Sequence, residues 1–124
     1  PTLGHITTFG GHPVSCAGAL ASLEVFQMEN IVENVEKKGI YFEKLLQHPS
    51  IIEIRRIGLF FAIEMINADT VQKVVEGCKE SGVLSFWFLS CPESFRIAPP
   101  LNISYEEIEI SCSIIQKVLN EISS

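Results

Sequence analysis

The sequence predicts an α+β fold: a three- to four-stranded, mostly antiparallel sheet covered by helices on one face, with a long helix leading in. Three observations carry this prediction. Apolar residues recur at helical spacing over residues 31–47 and again over 108–122. Between residues 51 and 98 the period changes to short β-branched and aromatic runs typical of strands. The first two of these runs are joined by only a short connection at Gly58, which an antiparallel pair allows and a parallel pair does not. At 124 residues the chain is the size of one ordinary domain and can bury a core without disulfide or metal staples.

The elements follow in order. A polar loop containing Thr7, Thr8 and the pair Gly10-Gly11 runs into Pro13, whose fixed φ suits the first position of a helix spanning residues 13–29. Its first half is built of small residues, among them Cys16, Ala17, Gly18 and Ala21, which allow a neighbouring backbone to come close, while Leu23, Val25 and Phe26 add larger apolar contacts. Asn30 with Glu33 resembles a capping box, so a second helix is expected over 31–47, with Ile31, Val35, Phe42, Leu45 and Leu46 on one face. His48-Pro49 ends it, because the residue before proline is pushed out of the α region.

Residues 51–56 alternate as a strand, and residues 59–66 read as a buried one. Asp69 offers an N-cap for a third helix whose inner face is Val71, Val74, Val75 and Cys78 and which stops at Gly82. Residues 83–89 read as a third strand and 94–98 as a fourth, ended by Pro99-Pro100, neither of which can donate to a ladder. In that last strand Phe95 and Ile97 face one way and Arg96 the other. Ser104 to Glu107 is a capping box for a final helix carrying Ile108, Ser111, Ile115, Val118 and Ile122 on one stripe. No internal repeat or low-complexity segment interrupts this order.

Composition excludes several classes of function. A net charge of −6, spread as single glutamates along helical stretches, does not suit a nucleic-acid binder and provides no basic patch for a membrane surface. Apolar residues make up 47% of the chain and the mean hydropathy is +0.29, rich enough to expect apolar surface that meets another domain or subunit. Cys16, Cys78, Cys91 and Cys112 share no paired spacing, which fits small buried hydrophobes in a reducing, cytoplasmic setting. His5, His12 and His48 have no metal-ligand spacing either. The chain opens at Pro1 without a Met, a charged n-region or an apolar h-region, and is expected to be a portion of a longer protein.

Few residues are left to carry chemistry. The opening loop can present the Thr7 and Thr8 hydroxyls and free backbone N–H groups to an anion, or it can be a plain turn. Arg96 stands opposite two apolar residues on its strand, where a planar fork holds a carboxylate bidentately or pairs with a glutamate of the chain itself. Arg55 and Arg56 are expected at a sheet edge or paired with acids. Glu106 and Glu107 are accounted for by the helix dipole.

The stretch Gly4-His-Ile-Thr-Thr-Phe-Gly-Gly-His-Pro-Val-Ser-Cys-Ala17 resembles the His-Gly-Ser/Thr-Thr-Phe-Gly-Gly-Asn-Pro-Leu-Ala motif of the class III, fold type I, pyridoxal-phosphate aminotransferases, the group of acetylornithine, ornithine and 4-aminobutyrate aminotransferases. The likeness continues in order through Glu29-Asn-Ile-Val-Glu33, Arg55-Arg-Ile-Gly-Leu59, Phe95-Arg-Ile-Ala-Pro-Pro-Leu101 and Ser104-Tyr-Glu-Glu107. It implies that residues 1–29 are the cofactor-phosphate loop and interdomain helix at the boundary of a large domain, and residues 30–124 the small C-terminal domain. By the same resemblance Thr8 would bind the phosphate of pyridoxal phosphate held by the neighbouring subunit of a homodimer, Thr7 would lie close to substrate, and Arg96 would hold a carboxylate of the amino acid or keto acid.

The sequence also departs from the family pattern. His12 replaces the usual Asn, a good N-cap, and Arg56 stands where a Gly usually makes a tight turn. The lysine that carries the cofactor, the aspartate that pairs with its ring nitrogen and the aromatic that stacks on it all lie upstream in this family. The resemblance therefore implies no catalytic residue in these 124 residues and no transamination by them alone. The competing expectation is a free-standing α+β binding or interaction module that uses the scaffold without the cofactor.

Overall fold

The structure, a computed structural model, describes residues 7–123, which fall into two units, one ending at Ile31 and the other running from Val32. The first holds helix α1 (Pro13–Met28) and the loop before it. The second holds helix α2 (Ile31–Leu45, entering from the last residue of the first unit), strands β1 (Glu53–Ile57) and β2 (Phe60–Glu64), helix α3 (Ala68–Glu80), strands β3 (Phe86–Trp87) and β4 (Ser94–Ile97), and helix α4 (Tyr105–Ser123).

The sheet is four-stranded, antiparallel at every pairing, in the order β1-β2-β4-β3. Its centre is apolar because β2 and β4 alternate. Phe61 pairs with Ile97 and Ile63 with Phe95, and all four are buried. Into the same cluster project Phe42 and Leu46 from α2 and the chain just after it, Val71, Val74 and Cys78 from α3, and Ile108, Cys112, Ile115 and Leu119 from α4. Cross-strand partners share a face, so the row Arg55, Ala62, Arg96 and Phe86 belongs to the opposite side. There Arg55, Arg96 and Phe86 are exposed, as are Ile57 and Phe60, which leaves this side of the sheet without a covering helix from its own unit among the described residues.

Local rules explain most boundaries. Ser104 Oγ accepts from the Glu107 amide at 3.1 Å and the Glu107 carboxylate accepts from the Ser104 amide at 2.8 Å, closing the expected capping box on α4. Helix α3 ends in a Schellman motif, with Gly82 at φ 92 and the Val83 amide reaching back to the Cys78 carbonyl at 2.8 Å.

Four expectations need correction. The N-cap of α3 is Asn67 and not Asp69: Asn67 Oδ1 accepts from the Thr70 amide at 2.8 Å, while Asp69 sits in the first turn. Asn30 has a left-handed φ of 48, unlike the extended backbone of an N-cap, and so makes the turn between helices. The third strand shrinks to Phe86–Trp87, since Val83 bonds back to α3. Arg56 does not loosen the hairpin. Ile57 pairs with Phe60 across a two-residue turn that Gly58 makes with φ 57.

Candidate functional site

The three arginines behave differently, and the difference is set by register. Arg55 and Arg56 are neighbours on edge strand β1, so they face opposite sides of the sheet. Arg55 donates to Glu53 on its own strand, to Glu64 on β2, and to Ser94 Oγ on β4 at 3.3 Å. Arg56 turns toward the helices, where its Nε donates to Glu43 at 2.6 Å and its fork to Glu36 at 3.0 Å, tying β1 to α2. Hydrogen bonding to Arg56 holds the Glu36 carboxyl below the usual carboxylate range, and the glutamates raise both guanidinium groups further above neutrality.

Arg96 is the exception. It is exposed on the open face of β4, flanked in register by Ala62 and Phe86, and among the described residues its side chain makes no ion pair or hydrogen bond. Its guanidinium carbon lies 5.3 Å from the centre of the Phe86 ring. A cation held over a ring face takes up no hydrogen-bond acceptor, so its N–H donors stay available to grip an added carboxylate with two parallel hydrogen bonds.

The other sequence-predicted residues, Thr7 and Thr8, lie together in the loop of the first unit. The loop is folded on itself: the Gly10 amide donates to the Thr7 carbonyl at 3.4 Å, the His12 amide to the Phe9 carbonyl at 3.2 Å, and Gly11 takes φ 77. Any side chain at Gly10 would run into the Thr7 hydroxyl. Both threonines are exposed, and among the described residues neither hydroxyl has a hydrogen-bond partner. His12 takes the N-cap backbone of α1 but its ring makes no cap bond, as expected from the loss of an asparagine there, and the first turn of α1 carries no acid. Among the described residues the loop thus offers hydroxyls without partners beside a helix start that no side chain caps, a donor set suited to an anion such as a phosphate. Residues 1–6, including His5, lie outside the described residues.

The remaining polar groups serve structure. Lys37, Lys38 and Lys44 belong to α2, Lys73 and Lys79 to α3, and Lys117 to α4, where it faces Glu121 at 3.9 Å. Cys78 and Cys112 are buried hydrophobes whose thiols burial pushes up to about 11 and about 12, which keeps them protonated and unreactive. The expectation of buried cysteines fails for the other two, since Cys16 is exposed and Cys91 half-buried. A cleft of about 590 Å³ bordered by Phe42, Pro99, Asn102 and Glu107 contains none of the predicted site residues. Among the described residues no cluster of His, Cys, Asp or Glu is placed to hold a metal ion, and no helix is long and apolar enough to cross a membrane.

Sequence reasoning missed Phe86. The signal was available in the alternation Phe86, Trp87, Phe88, which places Phe86 and Phe88 on one face, but only the register with β4 shows that Phe86 stands beside Arg96.

A family model described as aminotransferase class-III matches residues 1–119. The chain is 36% identical over 121 residues to ornithine aminotransferase 2 of Staphylococcus aureus, covering 92% of this chain and 28% of that protein. It is 37% identical over 123 residues to the ornithine aminotransferase of Staphylococcus carnosus, covering 94% of this chain and 29% of that one. A solved Bacillus anthracis aminotransferase superposes with a TM-score of 0.83 at 32% identity, over 95% of this chain and 30% of the other. The chain thus spans less than a third of the length of these relatives. With its motifs in family order and its fold matching throughout, the chain belongs to the class-III aminotransferase family.

Proposed function

We propose that this chain is the C-terminal portion of a pyridoxal-phosphate-dependent aminotransferase that moves an amino group between an amino acid, such as ornithine, acetylornithine or another omega-amino acid, and a keto acid such as 2-oxoglutarate. The observation that carries the reading is Arg96: of three arginines it alone, among the described residues, is left without a carboxylate, on the open face of the sheet. In a chain with fourteen glutamates to one aspartate, a total of fifteen acids, an uncommitted exposed arginine is a group kept for a ligand.

Each residue then has a defined task. Arg96 grips the substrate carboxylate with its fork, fixing position and orientation together and so contributing the positional part of catalysis. Thr8 would hold the cofactor phosphate through its hydroxyl, beside the start of α1, where no side chain caps the helix, and Thr7 would serve the substrate side. The free hydroxyls and the absence of acid from that helix turn fit a phosphate. Pyridoxal phosphate, when bound, supplies the carrier for the amino group. By the family resemblance the lysine that would hold it lies upstream of these residues. A homodimer, in which the loop serves the neighbouring subunit, completes the proposal.

The test is Arg96→Ala in the full-length enzyme. Losing a charge-assisted bidentate contact worth about 1.5–3 kcal/mol raises KM for the keto acid roughly 10- to 150-fold. Unchanged KM and turnover would refute the carboxylate assignment.

A further inference from the structure

Given Arg96 as the carboxylate holder, we propose that Phe86 is its positioning residue, a ring that sets the plane of the guanidinium while leaving all of its hydrogen-bond donors to the substrate.

The open face of the sheet explains why such a residue is needed. An arginine on a flat, exposed strand samples many rotamers, and each must be given up when a ligand binds. A carboxylate neighbour would order the side chain, but it would occupy the same fork that the substrate carboxylate needs. The register shows how that competition is avoided. The next residue along β2 on the same face as Ala62 is an acid, Glu64, two residues on, and Arg55 already engages Glu64 together with Glu53. Ser94, the equivalent neighbour on β4 itself, accepts from Arg55 as well. Ala62, directly across from Arg96 on β2, is too short to steer a guanidinium.

The other flank carries Phe86, paired with Arg96 in the β3–β4 register, its ring centre 5.3 Å from the guanidinium carbon. The ring attracts the cation through its face, whereas the donors lie in the guanidinium plane, so the two interactions do not compete. Phe86 is 50% exposed and stands on a two-residue edge strand, which makes it replaceable without opening the core. Phe95 and Ile97, the sequence neighbours of Arg96, face the core and cannot take over the role.

The experiment uses the full-length enzyme and measures KM for the keto acid, kcat and Tm. Phe86→Leu raises KM about 2- to 5-fold, the range that a surface cation–π contact corresponds to, with kcat and Tm within error of the parent. Phe86→Trp restores the parental KM. Replacing Phe86 by pentafluorophenylalanine, which keeps the shape of the ring and reverses its charge distribution, raises KM as leucine does. Unchanged KM in Phe86→Leu, where Arg96→Ala raises it, overturns the role of Phe86 and leaves that of Arg96 intact. Parental behaviour of the fluorinated ring, or a loss of kcat and Tm together with KM, overturns it in favour of packing. Insensitivity of both Arg96→Ala and Phe86→Leu overturns the reading of Arg96 itself.

Discussion

Single residues in this protein respond to pH with a sign that their hydrogen bonds determine. The Glu107 carboxylate accepts from the Ser104 amide, and this bond above all holds its pKa below the usual carboxylate range. Glu36 is lowered in the same direction by its hydrogen bonds with Arg56. A carboxyl whose folded pKa is depressed contributes stability above its unfolded pKa, near 4.3, and loses that contribution as pH falls through the folded value. Acidification from pH 7 should therefore leave Tm flat until about pH 5 and lower it below that. Glu107→Gln keeps a capping-box side chain but removes the titration, so its Tm should be lower than the parent's at pH 7 and converge with it at pH 3. Thermal melts at a series of pH values decide this, and two parallel curves would place the acid sensitivity elsewhere. At this scale the sequence was legible for what is local. Ser104 and Glu107 are three residues apart and could be paired on sight. The partners of Arg55, Arg56 and Arg96 depended on strand register, which a list of residues does not contain.

Among the elements, the packing of α2 against the β1–β2 hairpin rests on a missing side chain. Gly39 sits in the middle of α2, where glycine costs about 1 kcal/mol relative to alanine, so propensity alone says that Gly39→Ala should stabilise. A Cβ at that position would run into the Gly58 carbonyl oxygen and come within 2.9 Å of Arg56 Nη1. Gly58 cannot yield easily, because its φ of 57 makes the hairpin turn and Val35 packs against it. Overpacking of this kind costs about 1–3 kcal/mol, more than the propensity gain, so Gly39→Ala should lower the denaturation midpoint. Gly18→Ala, with nothing within 4 Å of the added carbon, should not, and the pair of urea titrations separates helix propensity from contact. The same scale shows where sequence reading fails. Asn67 and Asp69 are both good N-caps two residues apart, and the choice depends on where the preceding strand lets go. Residues 83–89 are apolar enough for a long strand, yet the Val83 amide is spent on Cys78 of α3, so the pairing with β4 starts only at Phe86 and is short, with the Phe88 amide still bonded to the Ser94 carbonyl opposite it.

Considered as a whole, the molecule leaves two sets of large apolar residues in water. Helix α1 buries none of its residues, and Val14, Leu20, Leu23 and Met28 are each more than half exposed, so it has no inner face of its own. The open side of the sheet adds Ile57 at 86% exposure together with Phe60 and Phe86 near half. Large apolar side chains left this exposed on one helix and on one sheet face suggest surface that another chain or domain covers. In relatives more than three times as long, the remainder of the polypeptide is available for that role. The 124-residue chain by itself is expected to bury these residues against a second copy of itself. Light scattering at tens of micromolar should then give a mass above the 13.8 kDa of one chain. Apolar burial is not screened by salt, so raising the ionic strength should leave the association intact, whereas a contact built on the net charge of −6 would respond to it. Leu20→Glu combined with Leu23→Glu should shift the population toward monomer if α1 is the contact, and Phe60→Glu should do so if the sheet is. A monomeric mass for the unmodified chain at that concentration would show that neither surface is sticky enough to need a partner.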